Sequence, residues 1–154
     1  MTYTERLHVP LRWWVQGTML VATFWLATAV AMPVVWSLTV TAVMLAIMVG
    51  TFLRYGAARV AVSDTEFLAG PARIALQHVG EVTALDAEET WLVSGRDADP
   101  RAFLVLRPYL KRSVKVEILD PADPTPYWLV NTRHAGDLAA ALTASRTPRP
   151  GVGS

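Results

Sequence analysis

The sequence predicts a membrane α+β protein in which a two-helix transmembrane hairpin precedes a small antiparallel β-rich domain with a C-terminal helix. No Asp, Glu, Lys, Arg or His occurs in the 41 residues from Trp13 to Leu53. After this run, hydrophobic residues alternate with polar ones, which is the period of strands. From Ala135 the spacing becomes helical. The chain of 154 residues is long enough for one domain and an additional element.

The charge-free run is too long for one membrane-spanning helix. Because a bilayer core is about 30 Å thick, a spanning helix needs roughly 20 apolar residues. Pro33 lies near the middle of the run. Proline starts a helix well, and it disfavours helical geometry in the preceding residue, here Met32. The sequence therefore predicts helices over 13–31 and 33–53 within a hairpin of residues 13–54.

Charges at the two ends of the hairpin predict its orientation. Two arginines precede the first helix and two follow the second, whereas the turn carries no charge: Arg6, Arg12, Arg54 and Arg59. By the positive-inside rule, we expect a multi-pass plasma-membrane protein with both termini in the cytoplasm. Amphipathic aromatic rings favour the headgroup layer. The predicted interface anchors at the cytoplasmic boundary are therefore Trp13, Trp14 and Tyr55.

Three other interpretations of the apolar run stay open from the sequence alone. Ala29-Val30-Ala31 has the small-x-small pattern of a signal-peptide cleavage site, although a second apolar run follows immediately. A re-entrant hairpin would enter the bilayer without crossing it. A buried hairpin of a soluble protein would offer a solvated face, and this run offers none.

Residues 55–146 are predicted to form a small cytoplasmic β-rich domain. Alternation is clearest in Ser113–Leu119, where Val114 and Val116 point one way and Lys115 the other. Short strands joined by close turns are expected to pair antiparallel. The other predicted strands are Val60–Val62, Phe67–Ala69, Ile74–Leu76, Val79–Leu85, Thr90–Val93, Ala102–Leu106 and Tyr127–Val130.

The order of these elements is that of a pleckstrin-homology-like (PH-like) barrel, in which strands precede one C-terminal helix. That helix is predicted over about 134–146, and the tail 147–154 is predicted to be disordered. The N-terminal residues 1–12 are predicted to be a short cytoplasmic segment, lying on the membrane surface or against the later domain.

Composition excludes several kinds of chemistry. The chain has no cysteine, which excludes disulfides, thiolate metal sites and cysteine nucleophiles. Residues 54–154 hold 12 acidic and 12 basic residues, and this balance argues against a general nucleic-acid binder. No phosphate-binding glycine loop or catalytic motif occurs. The sequence therefore predicts a non-catalytic protein without a cofactor, a metal site or an identifiable small-molecule substrate.

Five basic residues occur in residues 101–115 with no acid among them. Lys111 and Arg112 are predicted at a hairpin tip, and a basic group near an anionic leaflet gains about 1 kcal/mol. We expect this tip to contact membrane lipid headgroups or an acidic protein partner; a solvated hairpin that is salt-bridged to nearby acids is the alternative. The candidate contact residues are Arg107, Lys111, Arg112 and Lys115.

An acid-rich stretch supports a second hypothesis, that of an unrecognised membrane-associated enzyme. Such an enzyme would need these acids to converge with Arg101 or Arg107 on a concave pocket. A solvated strand face and turn is the other interpretation of the same residues. They are Glu81, Asp86, Glu88, Glu89, Asp97 and Asp99.

Three separated motifs resemble an actinobacterial membrane-protein family of unknown function, domain-of-unknown-function family 3093. The first is Tyr3-x-Glu5-Arg6-Leu7 with Pro10 and Trp13-Trp14, and the second is Asp99-Pro100-Arg101-Ala102-Phe103-Leu104 leading into Arg107-Pro108-Tyr109. The third is Asp120-Pro121-x-Asp123-Pro124-Thr125-Pro126-Tyr127-Trp128, closing into Thr132-Arg133.

The resemblance implies a two-helix membrane protein with no assigned activity and no functional residues to transfer. The predicted cytoplasmic part is similar to the PH-like domains that bacteria attach to membrane helices. The predicted function is therefore a membrane-anchored module that presents this domain to lipid headgroups, to a protein partner or to a second copy of the chain.

Overall fold

The computed structural model describes residues 3–146, in which two long helices interrupt a β-rich chain. Strand β1 (Tyr3–Arg6) precedes helices α1 (Leu11–Ala31) and α2 (Val34–Gly56). The predicted disordered tail, 147–154, lies outside the described residues. The later elements are β2 (Arg59–Val62), β3 (Glu66–Ala69), β4 (Ala72–Ala75), β5 (Val79–Leu85), α3 (Ala87–Ser94), β6 (Phe103–Val105), β7 (Ser113–Ile118), β8 (Tyr127–Asn131) and α4 (Ala135–Arg146).

The chain divides into two units, and one is inserted into the sequence of the other. The hairpin unit is His8–Ala57, and the sheet unit joins Met1–Leu7 to Ala58–Ser154. The hairpin unit therefore occupies the connection between β1 and β2. This differs from the predicted division, which treated 1–12 as a separate segment.

The hairpin unit contains the two apolar helices that the sequence predicts. They begin and end within three residues of the predicted bounds, and Met32 and Pro33 have extended backbone between them. Both helices are long and apolar enough to cross a membrane, and only 11% and 6% of their most apolar windows are buried. A helix in the core of a soluble protein would bury far more of such a surface.

Contacts along the whole hairpin hold the two helices together. At the open end, the Trp14 and Phe52 rings meet edge to face at 5.1 Å. Gly17 faces the side chains of Met48 and Phe52. Near the turn, the hydroxyls of Thr28 and Ser37 are buried and hydrogen-bonded at 3.0 Å. A hydroxyl pair of this kind satisfies two polar groups that lipid could not.

The strands of residues 3–146 form two four-stranded sheets and not the closed barrel that was predicted. The first sheet is antiparallel, in the order β1-β2-β3-β4, and the second has the order β5-β7-β8-β6. A single 3-10 turn, Leu76–His78, separates β4 from β5, so that β5 begins the second sheet.

Strand β6 pairs parallel to β8, so the expectation of purely antiparallel pairing is wrong. Because β8 lies between β6 and β7, residues 106–112 cross the end of β8 and do not form a hairpin. Lys111 and Arg112 lie on this crossing loop and not at the predicted hairpin tip.

The predicted strand Thr90–Val93 is also wrong, because these residues belong to α3. The Asp86 side chain accepts the backbone N–H of Glu89, and the Glu89 side chain accepts that of Asp86. This reciprocal capping box satisfies two donors at the helix start. Its signature, an acid followed three residues later by Glu, is present in the sequence.

The core of the sheet unit contains residues of both sheets and of α4. Trp128 is 4% exposed, and its ring lies 5.8 Å from that of Phe67 and 5.2 Å from that of Phe103. Leu7, the residue directly after β1, packs into this core and is fully buried. The segment before the hairpin is therefore part of the sheet unit's core.

We predict that Leu7→Ala destabilises the sheet unit. Removing a fully buried leucine side chain costs about 2–5 kcal/mol. Pulse proteolysis of the full chain in detergent micelles measures the free energy of unfolding. The matched control is Leu119→Ala, at a side chain that is 55% exposed, for which the loss should be about 1 kcal/mol or less. Equal losses in the two variants would show that β1 is not part of the core.

Candidate functional site

A buried carboxylate joins the N-terminal strand to the junction of β8 and α4. Glu5 is 9% exposed. Its Oε2 accepts the hydroxyl of Tyr3 at 2.8 Å and that of Thr132. Its Oε1 accepts the backbone N–H of Arg133 at 3.0 Å and lies 3.8 Å from the Arg133 guanidinium. A buried charge is tolerated when it is paired and hydrogen-bonded in this way.

Tyr3 is the partner whose acidity this site changes. Partial burial, with a contribution from the Glu5 carboxylate, raises the pKa of Tyr3 to about 12. The phenol therefore stays protonated and donates to Glu5 at any physiological pH. The cluster around Glu5 is therefore a set of hydrogen bonds that join β1 to the residues between β8 and α4.

The crossing loop, residues 106–112, is bonded to the point where the chain leaves the sheet unit. The hydroxyl of Tyr109 donates to the carbonyl of Leu7 at 2.7 Å. The N–H of Leu7 in turn donates to the carbonyl of Ala58 at 3.0 Å. Leu7 and Ala58 are the residues that flank the hairpin unit. The loop and both attachment points therefore lie at the same end of the sheet unit.

Asn131 fixes the backbone of the crossing loop. It is 2% exposed, and its Oδ1 accepts the N–H of Arg107 at 2.9 Å. Its Nδ2 donates to the carbonyls of Leu110 at 3.3 Å and Arg112 at 2.9 Å. One buried amide therefore bonds the loop at three places and fixes the backbone that carries Lys111 and Arg112.

The four predicted basic residues differ in their surroundings. Lys111 and Arg112 are exposed and form no ion pair within residues 3–146, so the alternative of a salt-bridged hairpin loses its support for these two. The partly buried Arg107 donates from Nη1 to the carbonyl of Leu106 at 2.9 Å. Lys115 lies on β7, with its Nζ 4.6 Å from the centre of the Tyr127 ring.

The acid-rich stretch is dispersed over local contacts. Asp86 and Glu89 cap α3. Asp99 bonds Arg101, and this contact holds the pKa of the Asp99 carboxyl below its usual range. In the part of the chain that the structure describes, no three His, Cys, Asp or Glu side chains could hold a metal ion. Of the acids named above, Asp99 therefore contacts Arg101, whereas Asp86 and Glu89 are engaged at the start of α3.

The three predicted interface anchors lie at the open end of the hairpin. Trp13 and Trp14 are partly buried against Phe52 of α2, at ring distances of 6.2 and 5.1 Å. Tyr55 lies in the last turn of α2 and is 39% exposed. The aromatic rings are therefore collected at one end, and two of them also pack between the helices.

Comparison of the sequence with models of protein families identifies the family of this chain. A model of the family described as "Protein of unknown function (DUF3093)" matches residues 2–142. The chain belongs to this family. No curated protein and no solved structure matches it.

The three motifs that carry the DUF3093 resemblance meet in the fold. Glu5 of the first motif binds Thr132 and Arg133 of the third, and Tyr109 of the second binds Leu7 of the first. The sequence indicated no role for Glu5 or Tyr109, and it suggested Asn131 only as a cap of the C-terminal helix, whereas its side chain bonds the crossing loop. Glu5 gave one signal, because it is the only acid before the apolar run.

We predict that Glu5→Ala destabilises the sheet unit by about 3 kcal/mol, because three buried or partly buried donors lose their acceptor. Urea denaturation of the full chain in micelles measures the loss. Glu66→Ala is the matched control, since that acid lies on the exposed face of β3 and its removal should change stability by about 0.5 kcal/mol or less. A loss for Glu5→Ala as small as the control would contradict the role of the cluster.

A pH dependence follows from Tyr3. Its pKa is raised from 10.0 unfolded to about 12 folded, so the folded state holds the proton more tightly. This contribution to stability is complete below pH 10 and is lost as pH rises towards 12. We expect Tyr3→Phe to be less stable than the parent below pH 10, with a difference that shrinks above it. A difference that stays constant across pH 9–12 would contradict the assignment.

Proposed function

We propose that this protein is a non-catalytic module anchored in the plasma membrane, whose crossing loop contacts anionic headgroups of the inner leaflet. The hairpin unit crosses the bilayer twice, and both termini are cytoplasmic. The sheet unit, with two sheets and a C-terminal helix around one core, is a PH-like domain without a closed barrel. The alternative contact for the same loop is an acidic protein partner, and measuring the dependence on lipid charge distinguishes the two.

The observation that carries the proposal is the bond from Tyr109 to Leu7. It fixes the loop that bears Lys111 and Arg112 at the end of the sheet unit from which the chain enters the hairpin. If the hairpin spans the bilayer, that end is the one tethered to the membrane. The two exposed basic side chains are then within reach of lipid phosphates.

The pairing of β1 with β2 supports a double crossing. Arg6 and Arg59 are direct cross-strand partners, and both are exposed. One sheet cannot form across a bilayer, so the segments before and after the hairpin lie on the same side. This requires an even number of crossings. Two helices of spanning length, each with little buried surface, meet that requirement.

The same pairing argues against a cleaved signal peptide. Cleavage after Ala31 would remove β1 from the first sheet and Leu7 from the core. The Glu5 carboxylate would be lost as well, and Thr132 and Arg133 would lose their acceptor. A retained hairpin keeps all of these interactions.

Two arginines beside the ends of the hairpin unit, Arg6 and Arg59, support the proposal that the sheet unit lies next to an anionic surface. Like charges directly opposite each other in a sheet are destabilising, yet Arg6 faces Arg59. An anionic leaflet would relieve this repulsion. Each basic residue close to such a surface gains about 1 kcal/mol, within a Debye length of about 8–10 Å. Arg6 and Arg59 would add to the contribution of Lys111 and Arg112.

We predict that lipid charge controls the position of the crossing loop. The chain has no cysteine, so Pro108→Cys can carry a single fluorophore on an exposed residue of the loop. In nanodiscs, quenching by a headgroup-linked nitroxide should be stronger in a phosphatidylcholine–phosphatidylserine mixture than in phosphatidylcholine alone. Adding Lys111→Glu and Arg112→Glu should abolish the difference, because the loop then repels the leaflet.

The matched control is Arg73→Glu with Arg96→Glu, which makes the same charge change at two other exposed arginines. It should leave the difference between the two lipid compositions intact. Equal quenching in neutral and anionic nanodiscs for the parent chain would refute lipid contact and favour an acidic protein partner for this loop.

A further inference from the structure

An open groove of about 820 Å³ lies in the sheet unit at the far end of β7 from the crossing loop. It runs between the start of β5, the end of β7 and the last turn of α4. Strand β7 is six residues long, so its two ends are about 17–20 Å apart. The groove is therefore separate from the loop and does not depend on the lipid contact proposed above.

A β-bulge shapes this groove. The register between β5 and β7 shifts between Val79 and Val82. A Cβ on Gly80 would lie 2.7 Å from Oε2 of Glu117 and 3.0 Å from Cγ of Leu119. In their present positions, these two side chains occupy the space that a Cβ at position 80 would need. Bulges of this kind often re-aim side chains next to binding sites.

The Glu117 carboxylate is held in place but is not neutralised. Its Oε2 accepts the backbone N–H of Glu81 at 3.1 Å. The nearest cation along the strand, Lys115, lies over the Tyr127 ring instead. Within residues 3–146, neither Glu117 nor Glu81 forms a salt bridge. The groove therefore presents two unpaired carboxylates, one of which has a fixed oxygen.

Apolar surface lies beside the carboxylates. Leu119, which is 55% exposed, supplies most of this surface, because Leu76 and Val79 belong to the core and are only 6% and 2% exposed. Arg146 at the end of α4 is the cation on the opposite wall, and the carbonyl end of a helix carries partial negative charge. Strand β5 is also an edge strand of its sheet, and edge strands commonly accept an extended segment.

We propose that this groove binds an extended segment of a protein partner that carries a basic side chain next to an apolar one. The basic group pairs with Glu117 and Glu81, and the apolar group covers Leu119. Arg146 donates to backbone carbonyls of the bound segment. Charge complementarity favours this occupant over an anionic lipid, because two carboxylates oppose one guanidinium.

The test uses the full chain in nanodiscs and a blocked hexapeptide of alternating arginine and valine. Amide chemical shifts of Gly80 and Glu81 should change and saturate as peptide is added. Glu117→Gln should weaken binding about two- to fivefold, which is the effect of removing one exposed ion pair. Glu88→Gln, at an exposed acid of α3, is the matched control and should bind like the parent. Leu119→Ser should also weaken binding while the shifts of unbound Gly80 report an intact bulge.

Four results would overturn the proposal. The first is no saturable shift at Gly80 and Glu81. The second is equal affinity for a peptide in which glutamate replaces arginine, and the third is equal affinity of Glu117→Gln and the parent. The fourth is a shift of the same amides with protein concentration alone, which would assign the groove to a second copy of the chain.

Discussion

The pairing of β1 with β2 is the constraint on which the rest of the structure depends. The two strands are separated in sequence by the entire hairpin unit, yet Arg6 pairs with Arg59 and the N–H of Leu7 bonds the carbonyl of Ala58 at 3.0 Å. The two ends of the hairpin must therefore leave the sheet unit side by side. The Glu5 carboxylate and the Leu7 side chain make this pairing favourable, because one satisfies buried donors and the other fills the core.

The same constraint organises charge in the sheet unit. Tyr109 and Asn131 fix the crossing loop at the end where the hairpin is attached, so Lys111 and Arg112 stand there with Arg6 and Arg59. The groove with its carboxylates lies at the other end of β7. In the proposed function, the first end serves lipid contact, and the second is left for a cytoplasmic partner.

The sequence predicted correctly those helices and strands that are determined by the pattern of neighbouring residues. The apolar run with Pro33 predicted both helices, and alternation predicted β7 (Ser113–Ile118). Strand β1 was missed because four residues with two charges carry no strand signal, and their pairing partner lies beyond the hairpin. Thr90–Val93 was predicted as a strand because these residues are largely apolar, whereas the capping box of Asp86 and Glu89 starts a helix just before them. The Glu5 cluster joins residues 127 and 128 positions apart, a separation over which no sequence spacing predicts contact.

We infer that both ends of the hairpin are held in one sheet and that the hairpin crosses the membrane twice. Because the chain has no cysteine, single variants Thr4→Cys, Met32→Cys and Asp64→Cys can be labelled with a membrane-impermeant maleimide in intact cells and in inverted vesicles. We expect labelling of Thr4→Cys and Asp64→Cys only in inverted vesicles and of Met32→Cys only in intact cells. Labelling of Thr4→Cys and Asp64→Cys from opposite sides, or of all three from one side, would contradict it.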